Sequence, residues 1–229
     1  MSKPRPVLEA FLKGRFSFML ISMVAMFFIV PLAGDSQSVV DEMFGWFCIA
    51  VLISCLRAIS QSRRFFYFMV LLTIVNVLLG GSEIVVQEES SRFLITVLGF
   101  RVIYFVIVFL SIMRFVLNST EVTADKICGA ISAYLLMGII WSFVYMIFHY
   151  IDPTCITVPA EWLSTDTINS YWAIYFSFTT LTTLGYGDIT PQTPLTQSYA
   201  VMEAAIGQIF LAVIVARLIA LHITHERDA

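Results

Sequence analysis

Charged residues are scarce in this sequence: aspartate, glutamate, lysine and arginine make up 13% of its 229 residues, whereas 59% are hydrophobic. The mean hydropathy of +0.88 is far above that of a soluble domain, so the composition excludes a soluble protein. Several apolar runs approach the ~20 residues that a helix needs to cross a bilayer. We therefore expect an all-α membrane protein that spans the lipid bilayer several times.

Cysteine is also sparse, and its four residues do not have the spacing of metal ligands. Cys48 and Cys55 lie in one apolar run, Cys128 begins another, and Cys155 follows Pro153. Cysteines in such places usually serve as small apolar residues. We expect no resident cofactor, no nucleic-acid partner and no small-molecule ligand.

One short stretch between two apolar runs contains two of the eleven glycines, and it reads Thr182-Thr183-Leu184-Gly185-Tyr186-Gly187-Asp188. Gly185 and Gly187 can adopt positive φ at little steric cost, so the carbonyl groups of this stretch can face one side instead of alternating. A row of carbonyl oxygens can replace the hydration shell of a potassium ion. We call Thr182 to Asp188 the signature loop.

The signature loop closely resembles the signature of potassium channels, with Leu184 where valine is usual. The chain is similar to prokaryotic six-helix potassium channels of the ion-transport superfamily, and the specific part of the likeness covers Ser170 to Ile223. Over the first four helices the likeness is one of helix number and topology. The resemblance implies a passive channel and not an enzyme. It also implies a homotetramer, because one loop per chain supplies a quarter of a selectivity filter.

The resemblance also assigns roles to individual residues, with K⁺ as the permeant ion. The carbonyls of the filter, with the Thr183 hydroxyl, would bind K⁺ at Thr183, Leu184, Gly185 and Tyr186, and Gly187 would complete the filter. The residues expected to support it from behind or at its outer mouth are Tyr175, Phe176, Thr179, Asp188 and Glu203. The Tyr186 ring is expected to pack on Tyr175 and Phe176. Asp188 either bonds Tyr175 or is a solvated acid.

The helix after the loop offers a second set of candidates. Glu203 lies in an apolar helix, where a carboxyl group is costly unless it is paired or near water, so we expect a hydrogen bond behind the filter. Gly207 stands where related channels place an inner-helix hinge, and close helix packing is the alternative. Residues at helical spacing would line the cavity below the filter: Gln208, Leu211, Val215 and Ile219.

Other functions are alternatives at this point. Intramembrane aspartyl proteases share the Gly-x-Gly-Asp run, but their Tyr-Asp pair is missing from this sequence. A potassium uptake transporter would carry four degenerate pore loops in one chain, and this chain has one complete loop. A pore with poor selectivity among monovalent cations and a membrane scaffold with an incidental motif are the remaining alternatives.

The apolar runs predict six spanning helices and one re-entrant half-helix too short to cross a bilayer. The spans are Phe16 to Leu32, Phe44 to Ile59, Phe65 to Leu79, Phe93 to Leu117, Ile127 to Ile151 and Leu195 to Ile223. The third is expected to stop at Gly80-Gly81. The half-helix is Ser170 to Thr182, with Asn169 or Ser170 as its N-cap. We divide the chain into a peripheral four-helix module (1–117), a cytoplasmic linker (118–126) and a pore module (127–229).

The basic residues predict the orientation and argue against strong voltage sensing. If the N-terminus is cytoplasmic, all thirteen lysines and arginines except Arg92 and Arg101 lie at cytoplasmic positions. We therefore expect a multi-pass protein of the cell membrane with both termini inside. The fourth run lacks closely spaced arginines, because Arg92, Arg101 and Arg114 are far apart. We also expect no ligand-binding domain after Ile223.

Overall fold

The computed structural model describes residue 14 and residues 16–29, 63–85, 91–118, 123–159 and 171–227. Within these ranges six helices and one two-stranded sheet are present. The helices are α1 (Ser17–Ile29), α2 (Arg63–Val85), α3 (Ser91–Leu117), α4 (Ala124–Ile151), α5 (Tyr171–Leu181) and α6 (Pro194–Arg227). The predicted second span and the predicted N-cap at Asn169 or Ser170 lie outside the described residues.

Three helices of the described part are long and apolar enough to cross a membrane: Ser91–Leu117, Ala124–Ile151 and, within α6, Pro194–Arg217. At 1.5 Å per residue, helices of this length exceed the ~30 Å hydrocarbon core of a bilayer. A further apolar stretch in α2, Arg64–Leu79, is shorter. The helical membrane class agrees with the prediction, and the six-span layout stays a prediction.

Several predicted helix boundaries differ from the structure, and two of these differences concern a glycine pair and the predicted linker. The expectation that the third predicted helix stops at Gly80-Gly81 is wrong, because α2 continues through both glycines to Val85. A helical glycine costs only about 1 kcal/mol and keeps its N–H group, so it weakens a helix without breaking it as proline would. In addition, α4 begins at Ala124, inside the segment predicted as a linker. The carbonyl of Thr123 accepts the N–H groups of Lys126 and Ile127 at 3.0 and 3.2 Å.

The described residues group into two compact units, and helices contribute to both. The first unit falls within residues 1–74, 107–135 and 214–229. In it the Phe16 ring packs on Phe115 with centroids 5.1 Å apart, and the Phe16 N–H donates to Asp125 Oδ1 at 2.8 Å. The guanidinium of Arg217 donates to the carbonyl of Leu117, at the end of α3. This bond satisfies one of the carbonyls that a helix leaves open at its C-terminus.

The second unit comprises residues 75–106 and 136–213, and it contains α5 and the signature loop. Its core includes Phe105 stacked on Phe143 at 5.7 Å. A short antiparallel sheet pairs β1 (Ile156–Thr157) with β2 (Thr190–Pro191). The carbonyl of Cys155 accepts the N–H of Gln192 at 2.8 Å and the Thr196 hydroxyl at 2.9 Å. These bonds attach the segment after the signature loop to the chain that follows α4.

Candidate functional site

Helix α5 directly precedes the signature loop. It has 11 residues, about 16 Å of helix, so it cannot cross a bilayer. Most of its residues are buried: Trp172, Ala173, Ile174, Phe176, Ser177, Thr179 and Leu181. The loop that follows, residues 182–188, is exposed in the single chain. The Phe178 ring approaches α4 closely, since a Cβ added at Gly138 would lie 2.7 Å from it.

The backbone at the end of α5 forms a Schellman motif, in which the last turn of a helix is closed by two backward hydrogen bonds. The N–H of Leu184 donates to the carbonyl of Thr179 at 2.8 Å, and the N–H of Thr183 donates to that of Thr180 at 2.9 Å. The residue that usually adopts positive φ in this motif is glycine. Here it is Thr183, with φ of +60°. A β-branched residue in this region is strained, and such strain concentrates at functional sites.

A third amide points in the same direction. The N–H of Gly185 also donates to the Thr179 carbonyl, at 3.1 Å. In a planar trans peptide the carbonyl of one residue points opposite to the N–H of the next. The carbonyls of Thr182, Thr183 and Leu184 therefore all point away from the end of α5. Positive φ at Gly185 and Gly187, +53° and +84°, interrupts the alternation of an extended chain.

The C-terminal end of the signature loop is held by a tyrosine of α5. The Tyr175 hydroxyl donates to Asp188 Oδ2 at 2.6 Å, which is the bonded one of the two alternatives considered for Asp188. This hydrogen bond lowers the pKa of Asp188, so the carboxylate is ionised at neutral pH. The rings of Tyr175 and Tyr186 stack with an interplanar angle of 11° and centroids 6.4 Å apart. One side chain of α5 thus contacts both the tyrosine and the aspartate of the loop.

The other two residues of α5 that were expected to support the loop are Phe176 and Thr179. The predicted packing of Tyr186 on Phe176 is absent from the ring contacts of the described residues, where Phe176 instead meets Tyr145 of α4 at 4.7 Å. The two faces of α5 explain this, because Phe176 is buried and Tyr175 is not. Thr179 contributes its carbonyl to the loop amides, whereas its hydroxyl donates to the carbonyl of Phe176 at 3.0 Å.

Glu203 of α6 is completely buried and hydrogen-bonded. The Tyr145 hydroxyl donates to its Oε2 at 2.6 Å, and Oε1 lies 2.5 Å from the hydroxyl oxygen of Ser177. The same Ser177 oxygen lies 2.7 Å from the carbonyl oxygen of Gly138. Side chains of α4, α5 and α6 are thereby joined behind the helix that carries the signature loop.

Farther along α6, Gly207 lies against the end of α5. A Cβ at this position would be 2.5 Å from the carbonyl oxygen of Leu181. Close packing is therefore evident at Gly207, and the hinge stays a prediction. The residues predicted to line a cavity are all exposed in the single chain: Gln208, Leu211, Val215 and Ile219.

Comparison with known proteins agrees with this geometry. Residues 133–222 match a family model described as ion channel. The match supports an ion channel. The matched segment begins within α4 and ends within α6, so it contains α5, the signature loop and Glu203. No curated protein and no solved structure matches the chain significantly. Together with the apolar helices, the family match supports an ion-transporting membrane protein.

Sequence reasoning missed three features of the segment that matches the family model. It did not identify Tyr145, Ser177 and Gly138 as the groups around Glu203, nor the pairing of β1 with β2. It also placed positive φ only at the two glycines and not at Thr183. A buried acid indicates that neighbouring helices supply hydrogen-bond donors. Those helices contain many hydroxyl side chains, however, and the sequence does not show which of them lie near the acid. Only their packing selects the partners.

Proposed function

We propose that this chain is one subunit of a potassium-selective channel that conducts K⁺ passively through a filter formed by Thr183 to Gly187 of four identical chains. The observation that carries the proposal is the direction of the loop backbone. Three successive amides bond to the end of α5, so the carbonyls of Thr182, Thr183 and Leu184 face away from it. Carbonyl oxygens directed to a common axis are the ligands that potassium filters use.

The charges around the loop favour a cation over an anion. The C-terminal end of α5 carries a partial negative charge from the helix dipole, and it lies where the loop begins. Asp188, ionised at neutral pH, stands at the other end. Thr183 to Gly187 contain no charged side chain, so dipoles and not a ring of carboxylates would bind the ion. This distinction supports selectivity for K⁺ among monovalent cations.

The exposed surface supports assembly with further copies of the chain. Leu184 and Tyr186 are 56% and 67% exposed in the single chain. Only 17% of the most apolar part of α6 is buried, against 67% for α4. Lipid can cover apolar side chains, but an exposed Gln208 is costly in lipid and is better placed beside water. A central water-filled cavity lined by α6 of four subunits would accommodate both features.

We further propose that the channel resides in the cell membrane with both termini in the cytoplasm. The distribution of lysine and arginine supports this orientation. The loop end at Asp188 would then face the outside, and the exposed residues of α6 would line the inner cavity. Gating would depend only weakly on voltage, because Arg101 is the single basic residue well inside its helix.

The proposal is tested by recording currents from the purified protein in planar bilayers with opposed potassium and sodium gradients. The expected reversal potential follows the potassium gradient. Equal permeability to K⁺ and Na⁺ would favour the poorly selective cation pore. Absence of current from protein that is folded and inserted would contradict the channel proposal and favour the scaffold. Lipid without protein serves as the control for leakage.

A further inference from the structure

The number of protons shared by the oxygens around Glu203 indicates whether its carboxyl group is ionised. Four oxygen atoms form a chain: Tyr145 Oη, the two carboxyl oxygens of Glu203 and Ser177 Oγ, which also contacts the carbonyl oxygen of Gly138. The successive separations are 2.6 Å from Tyr145 to Oε2, 2.5 Å from Oε1 to Ser177 and 2.7 Å from Ser177 to Gly138. Contacts this short between oxygens are those of hydrogen bonds, so we expect a proton in each of them.

Ser177 has one hydroxyl proton but two oxygen neighbours at hydrogen-bonding distance. A carbonyl oxygen only accepts, so the contact with Gly138 requires the proton of Ser177. The contact with Glu203 Oε1 then requires a proton from Glu203 itself. A carboxylate has none, whereas a carboxylic acid has one O–H donor and a carbonyl oxygen that still accepts. The carbonyl oxygen would be Oε2, which receives the Tyr145 proton.

The ionised form would leave this arrangement unsatisfied. If an ionised Glu203 accepted the hydrogen bond of Ser177, no proton would remain between the oxygens of Ser177 and Gly138. These two oxygens would then face each other at 2.7 Å with only lone pairs between them. Glu203 is also 0% exposed within an apolar helix, where an unpaired charge is expensive. Tyr145 of α4 is the titratable side chain that contacts it, and α5 presents Ser177, which does not titrate in this range. No positive group is bonded to Glu203 in the part of the chain that the structure describes.

We propose that Glu203 is a carboxylic acid at neutral pH, and that by donating its proton to Ser177 it positions α5 and, through α5, the filter. Its role in conduction rests on the proposed function, whereas its protonation does not. Ser177 is two residues before Thr179, whose carbonyl binds the amides of Leu184 and Gly185. The chain of hydrogen bonds therefore holds the last turns of α5, to which the amides of the signature loop are bonded. Glu203 acts as a positioning residue and does not touch the permeant ion.

Infrared difference spectroscopy of the whole protein in lipid tests the protonation directly. A carboxylic acid has a carbonyl stretching band that a carboxylate lacks. The spectrum of the wild type minus that of Glu203→Gln should contain this band at neutral pH. Loss of a pair of carboxylate bands instead would overturn the inference. This readout does not depend on ion conduction, so it is separate from the test of the channel proposal.

A second variant tests the assignment of the two oxygens. In Tyr145→Phe the carbonyl oxygen of the acid loses its donor, so the acid band should persist and move to higher frequency. Ser177→Ala should instead remove the acceptor of the acid O–H group and leave the hydrogen bond from Tyr145 in place. An acid band that does not move in Tyr145→Phe would contradict the proposed chain of hydrogen bonds.

Conduction then distinguishes a positioning role from simple occupation of space. Glutamine can donate to Ser177 and accept from Tyr145, so it reproduces every hydrogen bond of the neutral acid, whereas leucine of similar size reproduces none. Glu203→Leu should lose preference for K⁺ over Na⁺, and Glu203→Gln should rescue it. If the glutamine variant loses selectivity as fully as the leucine variant, the neutral acid is not the positioning group. If the leucine variant retains full selectivity, the chain of hydrogen bonds around Glu203 has no influence on the filter.

Discussion

Replacing Gly207 with alanine tests the close approach of α6 to the end of α5. The new Cβ would lie 2.5 Å from the carbonyl oxygen of Leu181 and 2.8 Å from its Cδ1 atom. Ordinary contact begins near 3.4 Å, so the carbonyl must retreat by roughly 0.9 Å. Because the nearest atom belongs to the backbone, no change of side-chain rotamer can relieve the contact.

The expected cost follows from two opposing effects. Overpacking in a close-packed region costs about 1–3 kcal/mol, while alanine is preferred over glycine in a helix by about 1 kcal/mol. Gly99→Ala in α3 is a matched control, because a Cβ there meets no atom of the described residues within 4 Å. It should be neutral or stabilising by up to about 1 kcal/mol. The difference between the two variants then measures the overpacking, about 1–3 kcal/mol per chain.

Denaturant unfolding of the purified protein in detergent, followed by circular dichroism, gives the two stabilities. Single-channel recording of the same preparations gives the effect on the loop, since Leu181 directly precedes it. We expect Gly207→Ala to be less stable than Gly99→Ala and less selective for K⁺. Adding Leu181→Ala should not restore either property, because the backbone oxygen remains. Equal stability of the two glycine variants would refute the packing argument, and a change confined to open probability would favour the hinge.

Three further predictions concern the loop and gating. A Cβ at Gly185, where φ is +53°, would meet no atom of the described residues within 4 Å, so the cost of Gly185→Ala, about 1–2 kcal/mol, is conformational. Reversal potentials should show reduced selectivity that Gly99→Ala does not cause. The lowered pKa of Asp188 means that its bond to Tyr175 contributes fully at neutral pH and is lost only as external pH falls through that value. In Tyr175→Phe the acid-induced loss of conductance should begin at higher pH, nearer the ordinary value of about 3.9, and an unchanged onset would contradict the bond. The conductance–voltage curve should be shallow, because one Arg101 per subunit gives at most about 9 kcal/mol per 100 mV in a tetramer, and an effective gating charge above about four would refute this.

The sequence alone predicted the class of the protein and the location of the candidate site. Scarce charge and long apolar runs require membrane helices, since lipid cannot hydrate charged groups or open backbone. The extents of α3, α4 and α5 differ from the predicted runs by a few residues at most. Gly185 and Gly187 marked the loop because few other residues accept positive φ. These features are local, so composition and spacing were sufficient for them.

Other features depended on which atoms the fold brings together. Nothing in the local sequence distinguishes Ser177 from other hydroxyl residues, yet only Ser177 among the described residues bonds both Glu203 and Gly138. Thr183 adopts positive φ because the Schellman bonds of α5 require it, against the preference of threonine itself. Phe176 packs on Tyr145 and not, as predicted, on Tyr186, because its face of α5 is the buried one. The packing of helices that are remote in sequence decided these contacts, and residue type alone does not fix that packing in advance.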